Sequence, residues 1–257
     1  MRYALEVQYV GKNYAGSQIQ FENGEEIETP TIQGELERAL RTLIKTGESQ
    51  KNRPIKTIFS GRTDKGVNSL GQVVHFDTDR TIVASKFIYQ MNEILPDDIS
   101  VDNLRIVPDS FHAQKSAKAR YYRYELINRR YKQAFDGDIL RVKYELDVER
   151  MQTALNFLLG EHDFSSFKSA KCQSKSPIKT IFDIQLEREN YTDAIVIKVN
   201  ANSFLYHQVR NMVAAMIYVA TGKFSLEYLD YVMKAKDRKL SAPTISPDGL
   251  YLQKIYY

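Results

Sequence analysis

The sequence predicts an α+β fold built from two βαββαβ halves, each an antiparallel sheet with helices on one face. Three observations support this class. Several short segments alternate apolar and polar residues, which is the period of a half-buried strand. Between them lie stretches in which apolar residues recur every three or four positions, as in an amphipathic helix. The same order of segments occurs twice along the 257 residues. Each half therefore has the element order of a ferredoxin-like or RRM-like domain.

The first half covers residues 1–108 and opens with a strand, since apolar side chains alternate from Tyr3 to Tyr9. The helix that follows has Thr31 as a candidate N-cap. Its apolar stripe consists of Ile32, Leu36, Leu40 and Leu43. Two short strands, IKTIF and QVVHF, come next, and then a helix that Pro96 stops. A strand from Ile99 to Val107 closes this half.

The second half covers residues 109–257 and repeats that order. Its strands are YYRYELI, IKTIFDIQL, AIVIKV and LYLQKIYY, and its helices are VERMQTALNFLL, FLYHQVRNMVAAMIYVA and an extra helix from Leu226 to Met233. The pentapeptide IKTIF occurs at Ile55–Phe59 and again at Ile178–Phe182, at the same place in each half. No low-complexity linker separates the halves, so we expect one continuous body with an active-site cleft between them.

Composition limits the possible functions. Lys and Arg number 36 against 32 Asp and Glu, a net charge of +4, so any surface for a polyanion must be local. A single cysteine, Cys172, excludes an internal disulfide, and four scattered histidines lack the spacing of metal ligands. The longest apolar run, Met212–Ala220, is shorter than the roughly 20 residues of a membrane span. With no signal segment after Met1, we expect a cytoplasmic protein without a metal or a membrane partner.

The segment SGRTDKG, residues 60–66, places Asp64 between Arg62 and Lys65. A plain turn would explain it, because Gly and Asp are common in turns. The alternative is a carboxylate that the two cations keep ionised as a nucleophile or base. A rival acidic site, Asp77 and Asp79 in VVHFDTDRTI, fits the DxDxT pattern of haloacid dehalogenase-type phosphatases. Antiparallel elements precede it and no downstream metal-binding carboxylates follow, so we interpret it as a solvated strand end.

Three further segments carry candidate substrate contacts. In KARYYRYELIN, Tyr124 is typical of sheet packing, whereas Tyr122 could stack on a base. In SFLYHQVRNMV, Arg210 lies in the first turns of a helix, where it suits an anion, although a solvated polar face would also explain it and its neighbours His207 and Asn211. The loop FKSAKCQSKSPIK carries a run of lysines that are usually solvated but could contact RNA phosphates. They are Lys168, Lys171, Lys175 and Lys179.

Five motifs, in this order, resemble the tRNA pseudouridine synthase A family over nearly the whole chain. They are GRTDKGVNSLGQVVHF, ARYYRYELIN, DFSSFKSAKCQSKSPIKTI, FLYHQVRNMV and APTISPDGLYL. Two positions depart from the family pattern. Asn68 stands where a histidine is usual after GV, and Gly16–Gln18 reads GSQ instead of GWQ, which leaves the chain without tryptophan.

The resemblance implies an enzyme that isomerises uridine to pseudouridine on the 3′ side of the tRNA anticodon stem-loop, as a homodimer and without cofactor or metal. It implies that Asp64 is the catalytic carboxylate and that Tyr122 packs against the target uracil. It also implies that Arg210 pairs with Asp64 and that Arg62 helps to hold the base out of its stack. Asp64 would attack C6 of the base or C1′ of the ribose, or assist elimination from the sugar.

Two other classes of function remain possible from the residues alone. A non-catalytic RNA-binding protein with twin RRM-like halves would keep the aromatics and the lysines but would not need Asp64. A phosphatase would need Asp77 and magnesium. Formation of pseudouridine in the presence of EDTA separates all three.

Overall fold

The computed structural model describes residues 1–22, 24–44, 55–134, 136–189 and 194–257. They fold as two compact units. The first unit contains Met1–Lys118 together with Leu252–Tyr257, and the second contains Ala119–Tyr251. Both units combine helices with antiparallel strands, so the predicted α+β class is confirmed.

The first unit begins with β1 (Arg2–Tyr9), β2 (Phe21–Glu22), β3 (Glu25–Glu26), α1 (Ile32–Leu43), β4 (Ile58–Phe59), β5 (Asn68–Asp77), α2 (Ala84–Ile94) and β6 (Ile99–Val107). Its sheet has the order β6-β1-β5, with β4 also paired to β5, and all of these pairs are antiparallel. The predicted N-cap of α1 is confirmed, since the Thr31 hydroxyl accepts a hydrogen bond from the Gly34 amide at 3.1 Å. In the core, the rings of Tyr3 and of Phe87 on α2 each stack on Phe76.

The chain continues with β7 (Ala119–Asn128), β8 (Leu140–Val142), α3 (Val148–Asn156), β9 (Gly160–Asp163), β10 (Ile178–Arg188), β11 (Ala194–Ala201), α4 (Gln208–Ala220), α5 (Leu226–Ala235) and β12 (Leu250–Tyr256). The sheet of the second unit has the order β7-β11-β10-β9, again antiparallel. The short β8 pairs in parallel with β7. Strand β12 ends in the first unit, where it lies beside β5.

The predicted start of α4 at Phe204 was wrong. The helix begins at Gln208, because His207 has a φ of +64° and a left-handed residue cannot continue a right-handed helix. Of the first IKTIF segment, only Ile58–Phe59 forms a strand. No helix in the described part of the chain is long and apolar enough to span a membrane.

Candidate active site

Asp64 lies on a turn, residues 60–67, that joins β4 to β5 and that we call the Asp64 turn. The Val67 amide donates a hydrogen bond to the Asp64 carbonyl oxygen at 3.1 Å. Gly66 has a φ of +81°, a left-handed conformation that glycine adopts without a steric penalty. Asp64 is half-buried, whereas Arg62 and Lys65 are exposed. The turn therefore presents one carboxylate with an exposed cation on each side in sequence.

The segment GSQ packs directly against this turn. Arg62 donates a hydrogen bond from Nε to the side-chain oxygen of Gln18. A Cβ atom on Gly16 would lie only 2.9 Å from the Thr63 carbonyl oxygen, and Gly16 has a φ of +128°. The close approach and the backbone conformation both favour glycine here. The segment that departs from the family pattern thus contacts Arg62 and the backbone of Thr63.

Asn68, the other departure, is buried at the start of β5 and has a partner within the protein. Its side-chain oxygen accepts a hydrogen bond from the Gly11 amide at 2.8 Å. A Cβ atom on Gly11 would lie 2.1 Å from the Val67 carbonyl oxygen, so this position cannot carry a side chain without rearrangement. Asn68 therefore joins the end of the Asp64 turn to the chain that leaves β1.

The rival acid Asp77, at the end of β5, forms an ion pair with Arg2. Arg2 donates to both of its carboxylate oxygens, each at 2.8 Å, in a bidentate arrangement. This hydrogen-bonded guanidinium lowers the pKa of Asp77 below its usual value. Asp79 is exposed, and the described residues contain no group of three or more His, Cys, Asp or Glu side chains that could hold a metal ion. The structure favours the solvated strand end over a phosphatase site.

In the second unit, Tyr122 and Tyr124 lie on β7 in different surroundings. Tyr124 is fully buried and donates its hydroxyl hydrogen to the Ser246 carbonyl oxygen at 2.5 Å, so its predicted packing role is confirmed. Burial raises the pKa of Tyr124 far above its usual value. Tyr122 is half-buried, and Phe204 contacts its ring edge-to-face at 5.1 Å between centroids. Phe204 therefore packs against the Tyr122 ring.

Arg210 lies in the first turn of α4, as predicted, and donates from Nε to the Ile245 carbonyl oxygen at 2.8 Å. The Tyr124 hydroxyl donates a hydrogen bond to the carbonyl oxygen of Ser246, the residue that follows Ile245. One short segment of the APTISPDGLYL motif therefore holds both the tyrosine strand and the arginine. Burial lowers the pKa of His207, immediately before the helix, to about 4. This imidazole is neutral at pH 7 and adds no charge beside Arg210.

Asn211 has a structural role that the sequence did not indicate. It is fully buried, and its amide nitrogen donates to the Phe167 carbonyl oxygen at 2.7 Å. Its oxygen accepts from Arg238 at 3.1 Å and from the Thr244 hydroxyl at 2.6 Å. Burial lowers the pKa of Arg238. The expectation of a solvated polar face is therefore wrong for Asn211, and Arg238 and Thr244 were missed because they are distant in sequence.

The four lysines of the basic loop do not share one environment. Lys171 and Lys175 are exposed, and Lys168 is half-buried. Lys179 instead points inward from β10, and its ammonium donates to the Ser176 carbonyl oxygen at 3.0 Å. Burial lowers the pKa of Lys179. Only the first three belong to the solvated face of the loop.

The residues that the resemblance assigned to a pseudouridine synthase occur in both units. Arg62 and Asp64 are in the first unit, and Tyr122 on β7 and Arg210 on α4 are in the second. A family model described as tRNA pseudouridine synthase matches residues 154–257. Among solved structures, the archaeal box H/ACA sRNP Nop10–Cbf5 complex matches 93% of this chain and 60% of that chain, at 10% identity and a TM-score of 0.35.

Curated relatives match over the whole chain. The tRNA pseudouridine synthase A of Paraburkholderia xenovorans is 41% identical over all of this chain and 90% of its own length. The enzyme of the same name from Pasteurella multocida is 39% identical over all of this chain and 92% of its own. That of a Janthinobacterium species is 42% identical, again over all of this chain and 92% of its own. The chain belongs to the tRNA pseudouridine synthase family.

Proposed function

We propose that this chain isomerises uridine to pseudouridine in tRNA and that Asp64 is its catalytic carboxylate. Full-length similarity to curated tRNA pseudouridine synthases supports the reaction. The Asp64 turn supports the residue, since it presents a half-buried carboxylate between two exposed cations.

The reaction needs no redox partner. The N1–C1′ bond breaks, the base rotates, and a C5–C1′ bond forms, while C5 loses a proton and N1 gains one. Product and substrate are therefore isomers. Asp64 attacks C6 of the base or C1′ of the ribose, or assists elimination from the sugar, and each route requires the base to leave its stack first, at a cost of a few kcal/mol.

The aromatic and cationic side chains fit the binding of an extruded base. A partly exposed aromatic ring is a stacking platform for a base, and Tyr122 is half-buried with Phe204 packed against it. We assign Tyr122 to the target uracil. Arg62, held by Gln18, and Arg210, held by Ile245, have fixed directions and suit contacts with the flipped nucleotide and its phosphates. The resemblance further supports the 3′ side of the anticodon stem-loop as target, a homodimer and a cytoplasmic location.

Replacement of Asp64 tests the central assignment. We expect Asp64→Asn to lower the single-turnover rate at least roughly a thousandfold, because the variant keeps the shape of the side chain but loses its charge. The measurement is release of tritium from C5 of uridine in unmodified tRNA, with EDTA present. Binding of tRNA should change little, since most of the affinity comes from phosphate contacts.

Two variants of the same unit serve as controls. Asp79→Asn removes an exposed acid and should leave the rate unchanged. Asp77→Asn breaks the ion pair with Arg2 and should affect stability more than turnover. An active Asp64→Asn enzyme would refute the assignment, and a tRNA-binding wild type that forms no pseudouridine would favour the RNA-binding alternative.

Two lysines of the basic loop, the half-buried Lys168 and the exposed Lys171, are proposed RNA backbone contacts. Neutralising Lys168 and Lys171 together should flatten the dependence of log affinity on log salt by roughly 0.7–0.9 for each lost phosphate contact. The matched control replaces Lys234 and Lys239, which are exposed and lie in the same unit. A salt slope equal to that of wild type would move the RNA surface away from this loop.

A further inference from the structure

The backbone immediately before Asp64 is held by three buried hydroxyl groups. The Thr63 amide donates to the Ser17 hydroxyl at 2.9 Å, and the Ser17 amide donates back to the Thr63 carbonyl oxygen at 3.1 Å. The hydroxyl groups of Thr63 and Tyr9 form a hydrogen bond of 2.8 Å. Thr63 is therefore fixed through its amide, its carbonyl and its side chain.

Gln72 on β5 holds the other end of the same turn. Its side-chain oxygen accepts from the Ser60 hydroxyl, and its nitrogen donates to the Gly61 carbonyl oxygen at 2.9 Å. The same nitrogen lies 3.5 Å from the Tyr9 hydroxyl, which links the two ends. Ser17 and Gln72 are 0% exposed, Tyr9 is 4% exposed and Thr63 is 6% exposed. We call these four side chains the Thr63 anchor.

The Thr63 anchor does more than close the turn. The hydrogen bond from Val67 to Asp64 closes the turn at residues 64–67, whereas the anchor holds residues 60–63. Buried polar groups need every hydrogen bond satisfied, so such a network admits one arrangement where an apolar core admits several. Here that arrangement fixes the peptide group between Thr63 and Asp64. This group is bonded to the Cα atom of Asp64, which carries the carboxylate side chain.

We propose that the Thr63 anchor positions Asp64 for reaction, so that Tyr9, Ser17 and Thr63 set the turnover rate without touching the substrate. The proposal rests on the proposed function of Asp64. Displacement of a reacting group by about 1 Å can cost roughly a hundredfold in rate. A network that fixes the backbone of Asp64 therefore acts on kcat, whereas tRNA affinity, which depends on phosphate contacts, is unaffected.

Matched variants separate positioning from general stability. Tyr9→Phe removes a buried hydroxyl at the end of β1 beside the Asp64 turn. Tyr3→Phe removes one from the other end of the same strand, where the hydroxyl accepts from the Ile82 amide at 3.1 Å. Thr63→Val removes a hydroxyl at constant shape, and Thr63→Ser restores it. Ser17→Ala removes the acceptor of the Thr63 amide.

The readout is the single-turnover rate at saturating enzyme, with tRNA affinity measured separately. We expect Tyr9→Phe, Thr63→Val and Ser17→Ala to lower the rate about 10- to 100-fold with affinity within twofold of wild type. Thr63→Ser should recover most of the rate, and Tyr3→Phe should keep it within twofold. Full rates in Ser17→Ala and Thr63→Val, or an equal loss in Tyr3→Phe, would overturn the proposal.

Hydrogen exchange provides a test that needs no activity. Amides of residues 60–67 should exchange at least tenfold faster in Ser17→Ala than in wild type, while Tyr3→Phe leaves them unchanged. Unchanged exchange in Ser17→Ala would refute the positioning role whatever the activity. A wild type that forms no pseudouridine would instead contradict the proposed function, and the exchange data would still decide whether the network holds the turn.

Discussion

The pentapeptide Ile-Lys-Thr-Ile-Phe occurs once in each unit and buries opposite faces. In the first unit Phe59 is 1% exposed and Ile58 is 38% exposed. In the second unit Ile181, the equivalent of Ile58, is 1% exposed, and Phe182 is 53% exposed. Both copies alternate with a period of two residues. The same five residues thus alternate between more and less buried positions in both copies, but the more buried positions of one copy are the less buried positions of the other.

The neighbours of each copy decide the face. In the first unit the amide and the hydroxyl of Thr57 each donate to the buried carboxylate of Glu37 on α1 at 2.9 Å, so Thr57 and Phe59 face that helix. In the second unit the Thr180 amide donates to the side-chain oxygen of Asn202 at 3.2 Å, and β10 pairs with β9 at Ile178–Ile181 and with β11 at Ile181–Arg188. Alternation fixes the spacing of a strand, whereas its face depends on partners elsewhere in the sequence.

The largest difference in stability between the two copies is expected for their phenylalanines. Phe59→Ala should lower the free energy of unfolding by about 3–5 kcal/mol, because it leaves a cavity in the core. Phe182→Ala, at the equivalent position of the other copy, should change it by no more than about 0.5 kcal/mol. Urea unfolding followed by tyrosine fluorescence and by circular dichroism measures both. Similar losses in the two variants would contradict the opposite faces.

A second contrast concerns His75, which lies opposite Ile58 across the β4–β5 pair. Burial, with smaller contributions from Arg2 and His112, lowers the pKa of His75 to about 4. The unfolded chain takes up this proton near pH 6.5 and the folded chain only near pH 4. Between these values the unfolded state binds more protons, so stability falls as the pH drops, by on the order of 2 kcal/mol.

Substitution of His75 isolates this effect from that of the carboxylates. His75→Gln keeps an acceptor for the Ala113 amide, which His75 Nδ1 binds at 3.1 Å, but does not titrate. Relative to wild type, the variant should gain stability steadily from pH 6.5 to pH 4. The measurement is the difference between the two urea-unfolding curves at each pH. Parallel pH profiles would show that His75 does not carry the dependence.

The smallest difference in stability between the two copies is expected for their threonines, Thr57 and Thr180. Thr57→Val removes one hydrogen bond to the buried Glu37 carboxylate and should lower the free energy of unfolding by about 1–2 kcal/mol. Thr180 is only half-buried, and Thr180→Val should be nearly neutral. Thermal unfolding of both variants measures the two changes in stability. A larger loss in Thr180→Val would mean that the second copy also depends on its threonine side chain.

Local patterns predicted much of the fold. The bounds of β6, the N-cap Thr31 and the apolar stripe of α1 all agree with the structure, because alternation, capping and helical spacing act over a few residues. The start of α4 did not follow from pattern. The segment before it also carries apolar residues, Phe204 and Leu205, and the left-handed backbone of His207 separates it from the helix.

The candidate site was predictable where its signals were local. Glycine, aspartate and two cations within seven residues indicated the turn at Asp64. Lys179 and Asn211 were misinterpreted as solvated, since their burial comes from the second unit's tertiary packing. Ser17 stood out only as a departure from a family pattern. Its partner Thr63 is 46 residues away, and no local feature of GSQ indicates that pairing.

The last strand places a constraint on how the chain is made. The first unit contains Leu252–Tyr257, and the Tyr257 hydroxyl donates to the Ala113 carbonyl oxygen at 2.9 Å, while the Lys118 amide donates to that of Tyr256 at 2.8 Å. At roughly 5–20 residues per second, the ribosome needs on the order of ten seconds to proceed from Lys118 to Tyr257. During that interval the unit that carries Asp64 has an edge of β5 without β12, and its sheet is complete only once residues 252–257 have been made.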